Sequence, residues 1–538
     1  MNKKLRNYFY TITNLKPVQI FNRVLRRFKS INLQTVPLGL VTADNAWQNS
    51  DFNAQSFYPA EQCFEFLNRS VKKPAWNDST ESKLWLYNLH YFDDLNAVNA
   101  CERKAEHTAL MAKWIDENPA AMGNGWEPYP LSLRVSNWLK WQLSGNALSQ
   151  AALQSLGLQC HVLSQSLEYH LLGNHLFANA KALLFAGVCL QGKSTDAWCQ
   201  KGQSILLKEL DEQFLSDGAN FELSPMYHAI LLVDCLDIVN LAQAYPGRIS
   251  QALLAKLQVV ISKALHWLTA MSHGDGEIGF FNDATFGIAW KNADIFAYAQ
   301  RLGFPVYDAL GVNDLTASGF VSVKQADYSL LADLAEIGPC YIPGHAHADT
   351  LSFEWCLQSQ RVFVNNGISE YGISPERLRQ RQTPAHNTVT ANGLHSTEVW
   401  SGFRVARRAH IVQREVAQEA DTISFCASHD GFKRQGLNCL HQRSFRLAGK
   451  TLTIIDQLLG DLAEGRAYFH LHPGVTAELL TPGLAEIMVN GHTVTMAVEG
   501  GSIHTEASRY HPGFGISLPA ECLVVRFDSG RLQTLITW

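Results

Sequence analysis

The hydrophobic periodicity of the chain changes near residue 318, and this change constrains the fold more than any other feature of the sequence. Between about residues 84 and 310, apolar side chains recur at helical spacing, and short Gly, Pro or Asn turns separate the runs. Beyond residue 318 come short alternating runs rich in Val, Thr, Ile and Phe, such as TLSFEWCL, HNTVTANG and AEIMVNGHTVTMAV. The sequence therefore predicts an α+β multidomain chain, in which a helical domain precedes an antiparallel β-sandwich.

The length of 538 residues and the 46% hydrophobic content allow more than one buried core. Helices that follow one another without intervening strands predict a helical layer closed on itself, such as an α/α toroid or incomplete barrel. We place this toroid at residues 84–317 and the β-sandwich at residues 318–538. Residues 1–83 are predicted to form an N-terminal helix and a connecting segment rich in loops.

Two of the predicted helices place polar side chains among apolar ones. The first does so along one face, and the second does so at its start. In the first, one face is formed by residues that recur every four positions, namely Leu163, Leu167, Leu171, His175, Asn179 and Leu183. The second begins at Ser224 and Pro225, because Ser is a good N-cap and Pro suits the first helical position. Tyr227 then lies in the first turn of that helix.

The net charge and the cysteine pattern limit which partners the protein can bind and which cellular compartment it can occupy. The net charge is −5, with no basic run beyond the first thirty residues, so the sequence does not indicate a nucleic-acid-binding surface. The eleven cysteines form no C-x-x-C pair, which argues against a zinc ribbon or a disulfide framework and favours a reducing compartment. We find neither a signal peptide nor a transmembrane segment. These patterns predict a cytoplasmic protein, with a periplasmic location as the alternative, and leave the oligomeric state open.

The first thirty residues, MNKKLRNYFYTITNLKPVQIFNRVLRRFKS, are basic and amphipathic. The basic face of the predicted helix is formed by Lys16, Arg23, Arg26, Arg27 and Lys29. One interpretation is weak contact with an anionic membrane surface. The alternative is a solvated helix that docks on its own domain.

Residues 343–355, PGHAHADTLSFEW, alternate two imidazoles and a carboxylate. In an extended chain this alternation places His345, His347 and Asp349 on one face of a strand. These side chains could bind a metal, contact a sugar or bond to one another. The H-x-H-x-D pattern of metallo-β-lactamase-like hydrolases continues with a further histidine, whereas this chain has Thr350.

Four polar clusters lie in otherwise apolar surroundings: EYHLLGNHLFANAKALLFAG at 168–187, DGANFELSPMYHAILL at 217–232, the stretch at 343–355, and NNGISEYGISPERLRQRQTPAHNTV at 365–389. With these motifs, the sequence resembles the heparinase II/III family of polysaccharide lyases over roughly residues 85–520. The resemblance implies a helical toroid followed by an antiparallel β-sandwich. It also implies cleavage of a uronic-acid-containing polysaccharide by β-elimination, with an acidic polysaccharide or oligosaccharide as the binding partner.

Such an elimination removes the proton α to the uronate carboxylate and expels the linked sugar. The proton is a poor acid, so fixed donors must mask the carboxylate charge and stabilise the enolate-like intermediate. The resemblance implies that Asn174 and His175 contact the substrate carboxylate and that Tyr227 acts as general acid towards the leaving oxygen. It leaves open whether Tyr227 also acts as base. His345 would assist proton transfer or charge neutralisation, and Tyr371 is a second candidate for the base.

Further residues are predicted to bind the substrate: Trp126, Tyr129, Arg134, Glu222, His228 and Arg381. The aromatic side chains could stack on sugar rings, and an arginine could pair with a carboxylate or sulfate in bidentate fashion. Glu222 and His228 match the family motif around Tyr227. Ordinary helix packing is the alternative for Trp138 of the same aromatic stretch, and a solvated loop is the alternative for Arg381.

The resemblance also implies a structural zinc ion inside the sandwich. Its matching ligands are His347, His386 and an aspartate position that is Asn365 in this chain. A neutral amide oxygen is a weaker zinc ligand than a carboxylate, so we predict weak or partial zinc binding. A hydrogen-bonded cluster of the three side chains without metal is the alternative.

Together these features predict a polysaccharide lyase linked to bacterial capsule or exopolysaccharide metabolism. One alternative is a non-catalytic glycan-binding component of polysaccharide biosynthesis. The other is a glycoside hydrolase on the same toroid, which needs two opposed carboxylates in its cleft. The candidates for that pair are Asp217, Glu222 and Asp283.

Overall fold

The structure, a computed structural model, describes residues 2–34, 36–50, 52–419 and 421–538. A helical arm and short strands are followed by a helical domain and then by antiparallel sheets. This order confirms the predicted fold class.

The N-terminal arm is a pair of helices rather than the predicted single helix. They are α1 (Lys3–Ile12) and α2 (Pro17–Leu25). Pro17 occupies the start of α2, where a residue without an N–H suits the first turn. The segment that follows carries the short strands β1 (Gly39–Leu40), β2 (Phe57–Tyr58), β3 (Cys63–Phe66) and β4 (Arg69–Lys72).

The helical domain is an incomplete toroid built around fully buried tryptophans such as Trp114 and Trp138. Its helices are α3 (Lys83–Tyr91), α4 (Lys104–Glu117), α5 (Pro128–Leu143), α6 (Gln150–Gln165), α7 (Gly173–Cys189), α8 (Thr195–Gln213), α9 (Pro225–Ala244), α10 (Gln251–Ala270) and α11 (Asn292–Arg301). Between α7 and α8, the strand β5 (Leu190–Gln191) pairs with β1.

The helix predicted through residues 163–183 is two helices, so that prediction is wrong. Helix α6 ends at Gln165 and α7 begins at Gly173. Leu172 and Gly173 both have left-handed backbones, with φ of 67° and 57°, which no continuous α-helix allows. Asn179 holds the break, because its side-chain oxygen accepts a hydrogen bond from the backbone N–H of Glu168 at 2.8 Å.

Helix α9 is long and apolar enough to cross a membrane by length and composition, with a mean hydropathy of 1.3. However, 72% of its apolar window is buried inside the structure. A core helix of a globular domain has the same composition, and we interpret α9 in this way.

The sheet domain begins with the antiparallel meander β6 (Gly311–Leu315), β7 (Phe320–Lys324), β8 (Tyr328–Asp333), β9 (Phe353–Leu357) and β10 (Gln360–Phe363). After it come α12 (Pro375–Arg381), β11 (Val389–Ala391) and the hairpin β12 (Val399–Trp400) with β13 (Arg404–Val405). The meander packs its apolar face into the core shared with the later strands.

Two further antiparallel sheets complete the domain. Their elements are β14 (Ile411–Glu419), β15 (Thr422–His429), α13 (Gly431–Arg434), β16 (Cys439–Ala448), β17 (Thr451–Gly460), β18 (Gly465–His470), β19 (Thr476–Thr481), β20 (Leu484–Val489), β21 (His492–Glu499), β22 (Ser502–Tyr510), β23 (Leu518–Phe527) and β24 (Arg531–Thr537). The larger sheet has the order β14-β15-β16-β17-β24-β21-β20-β19, and the smaller has β11-β18-β23-β22. Side chains alternate between buried and partly exposed along β16 and β17, as expected when one sheet face covers a core.

The histidine-rich stretch lies in the loop between β8 and β9, not in a strand as predicted. Side chains of residues 381–383, which follow in the chain, donate hydrogen bonds to the backbone of this loop. The Arg381 guanidinium donates to the Ala346 carbonyl, and the Thr383 hydroxyl donates to the Ala348 carbonyl at 2.8 Å. These bonds replace the strand pairing that alternation alone would suggest.

Replacing Gly173 by alanine tests the break before α7. A side chain in the left-handed region costs about 1–2 kcal/mol, and the added Cβ would lie 3.0 Å from Ile342 Cδ1 and 3.2 Å from Glu222 Oε1. We expect Gly173→Ala to lower the free energy of unfolding by more than Gly145→Ala, as measured by urea denaturation. Gly145 is the matched control, since its φ is 85° and no atom lies within 4 Å. Equal losses would show that the contacts around Gly173 relax freely.

Candidate active site

Tyr227 is held at the start of α9 by the cap that the sequence predicts. The Ser224 hydroxyl accepts a hydrogen bond from the Tyr227 N–H at 3.2 Å, and Pro225 occupies the first turn. The same hydroxyl donates to the backbone carbonyl of Asp283. The cap therefore fixes Tyr227 against the loop between α10 and α11.

Tyr227, Tyr371 and His345 meet, although they come from α9, from the loop after β10 and from the loop before β9. The two phenol oxygens lie 3.0 Å apart, within hydrogen-bonding distance. The Tyr227 ring packs on the His345 ring, with a centroid distance of 3.9 Å. Burial is the largest cause that raises the pKa of both phenols well above their ordinary value, so both stay protonated in the free protein.

Asp283 organises the base of this cluster. Its carboxylate accepts from His345 Nδ1 at 2.7 Å, from His347 Nε2 at 2.7 Å and from both terminal nitrogens of Arg377. Burial alone would raise the pKa of Asp283, but Arg377 and the two histidines hold it well below the ordinary value. Asp283 is therefore an anion, and the Nδ1 of His345 carries the hydrogen that it donates.

Asn282 extends the connection to the backbone. Its side-chain oxygen accepts from the His347 N–H at 3.0 Å, and its amide nitrogen donates to the Leu223 carbonyl at 2.9 Å. Asn282 has a left-handed φ of 56°, a conformation that asparagine tolerates. Asn282 and Asp283 together join the start of α9 to the histidine loop of the sheet domain.

Glu222 lies across the cluster from Asp283. It is 1% exposed, and among the described residues neither carboxylate oxygen has a hydrogen-bond partner. The Nε2 atom of His345 lies 3.6 Å from Glu222 Oε2. Burial is the main cause that raises the pKa of Glu222, and this favours a protonated carboxyl group.

Asn174 and His175 form the first turn of α7. His175 Nδ1 lies 3.2 Å from Glu168 Oε2, and the His175 ring packs against Tyr129 at a centroid distance of 4.5 Å. Burial would lower the pKa of His175, but Glu168 raises it above the ordinary value, so the ring tends to be cationic. The side chain of His175 is 29% exposed, which leaves it open to a ligand.

Trp126 and Arg134 were predicted to bind substrate, but the structure places both in the core of the helical domain. The Arg134 guanidinium is fully buried, lies 3.8 Å from the Trp114 ring centroid and donates to the carbonyls of His90 and Gly125. Trp126 donates its ring N–H to the Asn118 carbonyl at 3.2 Å. Both side chains serve packing, whereas Tyr129 and Glu222 do lie at the cluster.

His228 and Arg381 are also internal rather than open to the cluster as predicted. The two ring nitrogens of His228 are used, because Nδ1 accepts from the Asn220 N–H at 3.1 Å and Nε2 donates to the Ala264 carbonyl at 2.9 Å. Arg381 is fully buried and binds the carbonyl of Ala346. Helical phase and motif matching could not distinguish these positions from ligand-facing ones.

His347, His386 and Asp349 form a buried group whose donor atoms lie within 4.8 Å of one another. His347 Nδ1 and His386 Nε2 are 3.2 Å apart. Burial lowers the pKa of His347 to about 4 and that of His386 well below its ordinary value, so both rings are neutral. Two neutral imidazoles and a carboxylate fit the donor chemistry of zinc.

Asn365, the third residue of the predicted ligand set, uses its side chain in hydrogen bonds. Its side-chain oxygen accepts from the Asn387 N–H at 3.1 Å, and its amide nitrogen lies 3.4 Å from the Ser352 hydroxyl. Asp349 offers a carboxylate instead. The sequence contained the signal, since Asp349 completes the alternating pattern of the histidine stretch.

The carboxylates required by the glycoside hydrolase alternative are not paired across the cluster. Asp283 is saturated by Arg377 and two histidines, and Asp217 accepts from the N–H and hydroxyl of Ser318. Of the three candidates, Glu222 alone is left facing the cluster. Sequence reasoning considered Asp283 only for this alternative and missed its bonds to the two histidines and to Arg377.

The chain has a helical toroid followed by antiparallel sheets, and tyrosines and histidines converge between the two parts. This architecture places it in the class of polysaccharide lyases. Two family models match the chain: the heparinase II/III N-terminus over residues 3–301, and the heparinase II/III-like C-terminal region over residues 309–538. The chain belongs to the heparinase II/III family.

Several characterised proteins are similar to the chain. A heparin-sulfate lyase of Pedobacter heparinus is 25% identical over 65% of the chain, and the match spans 55% of that enzyme. A heparin-sulfate lyase of Bacteroides stercoris is 23% identical over 85% of the chain and 72% of that enzyme. A crystal structure of heparinase III has a TM-score of 0.72 at 16% identity, covering 96% of this chain and 89% of the other. At that identity, the structural match establishes the fold.

Asp283→Asn tests the central carboxylate. Removing one partner of a buried ion pair leaves Arg377 uncompensated, so we expect the free energy of unfolding to fall by about 3–5 kcal/mol. Asp275→Asn is the control, because Asp275 also pairs with a buried arginine, Arg361, but its own side chain is 28% exposed. Chemical denaturation of both variants measures the difference. A loss no larger than that of Asp275→Asn would contradict the role given to Asp283.

Proposed function

We propose that the protein is a polysaccharide lyase that cleaves a uronic-acid-containing polysaccharide by β-elimination. The observation that carries the proposal is the contact between the phenol oxygens of Tyr227 and Tyr371, which lie 3.0 Å apart beside the His345 ring. The Nδ1 atom of that ring is bonded to the Asp283 carboxylate. Membership of the heparinase II/III family and the two heparin-sulfate lyase relatives support the same reaction class.

Tyr227 is the general acid in this proposal. Its buried phenol stays protonated, so it can deliver a proton to the glycosidic oxygen as the bond to the leaving sugar breaks. The Tyr371 hydroxyl lies 3.0 Å from the Tyr227 phenol oxygen, so it can keep that phenol oriented or return a proton to it. The stacked His345 ring limits the motion of Tyr227.

His345 is the base that removes the proton α to the carboxylate. In this role His345 acts as the tautomer whose Nδ1 hydrogen is donated to the Asp283 carboxylate, so that Nε2 offers the lone pair that takes the proton. Asp283 would also stabilise the imidazolium that forms, as an oriented carboxylate does beside a catalytic histidine. Asp283 is therefore a positioning residue, because it acts through His345.

Asn174, Glu222 and His175 mask the charge of the substrate carboxylate. A protonated Glu222 and the Asn174 amide can donate hydrogen bonds, and a cationic His175 attracts the anion. Donors fixed in place before the reaction stabilise the enolate-like intermediate without reorganisation. Since Glu222 has no partner among the described residues, a bound carboxylate would satisfy it.

The substrate is an acidic polysaccharide rich in uronic acid. The relatives act on heparin sulfate according to their names, which supports a glycosaminoglycan-like uronan. We keep bacterial capsular polysaccharides and exopolysaccharides as the second group of substrates, with action in the cytoplasm or periplasm during their metabolism. A panel of both groups, monitored by the ultraviolet absorbance of the unsaturated uronate product, identifies the substrate.

Tyr227→Phe tests the acid. The substitution keeps the ring stacked on His345 but removes the proton, so turnover should fall by roughly 10²–10⁴-fold. Thermal unfolding should change little, because the phenyl packing remains. Tyr307→Phe is the matched control, since Tyr307 is 71% exposed and distant from the cluster in sequence. Turnover is measured from the product absorbance on a substrate that the wild-type protein cleaves.

Near-normal turnover of Tyr227→Phe would assign the acid to Tyr371, and Tyr371→Phe would then show the larger loss. Products with new reducing ends but without the unsaturated absorbance would indicate hydrolysis. Binding of the polysaccharide without any cleavage would favour the non-catalytic glycan-binding alternative.

We also propose that His347, His386 and Asp349 hold a zinc ion. Its occupancy is weak or partial, because the matching position Asn365 offers an amide oxygen in place of a carboxylate. When bound, the ion would supply structural cross-linking of the histidine loop to the segment after α12. Its link to the active cluster is indirect, because His347 donates from Nε2 to Asp283.

Elemental analysis of the purified protein tests this site. We expect less than one zinc per chain and ready removal by a chelator, with a lower melting temperature after removal. Asp349→Asn should reduce the zinc content, whereas Asn365→Asp should increase it if the added carboxylate turns towards the histidines. Stoichiometric zinc that resists chelators would contradict the weak-site proposal.

A further inference from the structure

The N-terminal arm, residues 3–29, turns its apolar side chains towards solvent. In α1, Leu5, Phe9 and Ile12 are spaced by four and three residues and therefore share one helix face. Their exposed fractions are 63%, 57% and 52%. An amphipathic helix that docks on its own domain would bury such a face.

Helix α2 and the turn after it repeat the pattern. Phe21, Val24, Leu25 and Phe28 are spaced by three, one and three residues, so they also share a face. Phe21 is 62% exposed and Phe28 is 82% exposed. Large apolar side chains grouped in this way on a surface indicate an interaction site rather than scattered exposure.

The side of the arm that faces the protein is mainly polar, and its aromatic contact is Tyr8, which packs edge-on against Trp400. Asn7 of α1 and Gln19 of α2 are buried, with 5% and 2% exposure. The Gln19 amide lies 3.4 Å from the Leu171 carbonyl, and the Thr11 hydroxyl bonds to the Val405 carbonyl at 3.0 Å. The arm thus docks through polar contacts and Tyr8, and its apolar face has no partner among the described residues.

The arm is also strongly basic. Residues 2–43 contain eight lysines and arginines and no aspartate or glutamate. Within the part of the chain that the structure describes, the ion pairs involve Arg6, with Glu398, and Lys16, with Glu212. The remaining basic side chains are exposed beside the apolar face: Lys3, Lys4, Arg23, Arg26, Arg27 and Lys29.

We propose that the arm docks the protein on an anionic lipid bilayer. An exposed apolar face flanked by lysine and arginine fits the interface of such a bilayer, where apolar side chains enter the acyl boundary and basic ones meet the headgroups. With 10 and 9 residues, α1 and α2 are too short to span a membrane and would lie in its plane. A second copy is a poorer occupant, because a symmetric contact would bring two basic arms together.

The arm lies beside the candidate active site. Gln19 and Arg26 contact Leu171 and His170, in the segment that leads into α7, and α1 packs on the β12–β13 hairpin. Phe403 of that hairpin packs on Tyr371. Docking would therefore hold the cluster close to the bilayer, where a membrane-associated glycan is within reach. This last consequence rests on the proposed lyase function, whereas the docking itself does not.

Vesicle flotation with the full-length protein tests the docking without any measurement of turnover. We expect binding to vesicles that mix phosphatidylcholine with phosphatidylglycerol and little binding to pure phosphatidylcholine. Added salt should weaken the binding, because the basic side chains act electrostatically. Arg23→Gln with Arg27→Gln should weaken it by about 25-fold, since each basic side chain near an anionic surface contributes about fivefold.

Phe21→Ser with Phe28→Ser should weaken the binding by at least about tenfold, because the apolar area that enters the bilayer is lost. Matched controls remove exposed side chains elsewhere: Leu462→Ser with Tyr307→Ser for the apolar pair, and Lys104→Gln with Lys208→Gln for the basic pair. The controls should bind as the wild type does.

Three results would overturn the proposal. The first is equal binding to neutral and anionic vesicles, or none to either. The second is a dimer in analytical ultracentrifugation that the Phe21→Ser, Phe28→Ser variant abolishes, which would assign the face to a second copy. The third is loss of vesicle binding in the controls to the same extent as in the arm variants.

Discussion

The buried Asp283 carboxylate is the interaction on which the site depends. Arg377, His345 and His347 all bind this one group, and they come from the sheet domain, whereas Asp283 comes from a loop of the helical domain. A buried charge is costly unless it is paired, so these bonds stabilise the carboxylate and also connect the two domains. The backbone of Asp283 adds to this, because its N–H donates to the His345 carbonyl at 2.9 Å.

Burial shifts the pKa values of the groups around Asp283, and the partners of each group decide whether it is charged. Asp283 remains an anion because three donors compensate it, while burial raises the pKa of Tyr227 and Tyr371 well above their ordinary value and that of Glu222 above its own. Two protonated phenols and a histidine oriented by a carboxylate therefore lie side by side in the free protein. Acid–base chemistry needs this separation of protonation states in one place.

The sequence motifs identified most of the polar side chains in the cluster, but they did not show whether a side chain faces the cluster or the protein core. Ser224, Pro225 and Tyr227 follow capping rules that act within one turn, so local sequence was sufficient there. Arg134 and Arg381 were misread, because a long polar side chain looks the same in sequence whether it reaches a ligand or a buried carbonyl. Asp349 was not included in the predicted zinc set, although the loop between β8 and β9 brings its carboxylate within 4.8 Å of the donor atoms of His347 and His386.

The sequence by itself determined the order of helices before strands, the start of α9 and the amphipathic, basic character of the N-terminal arm. These features follow from periodicity and composition, which act over short stretches. The tertiary structure alone decided that α6 and α7 are separate, that Asp283 binds two histidines and an arginine, and that the apolar face of the arm points outwards. Each of these depends on contacts between residues far apart in the chain, which no local pattern encodes.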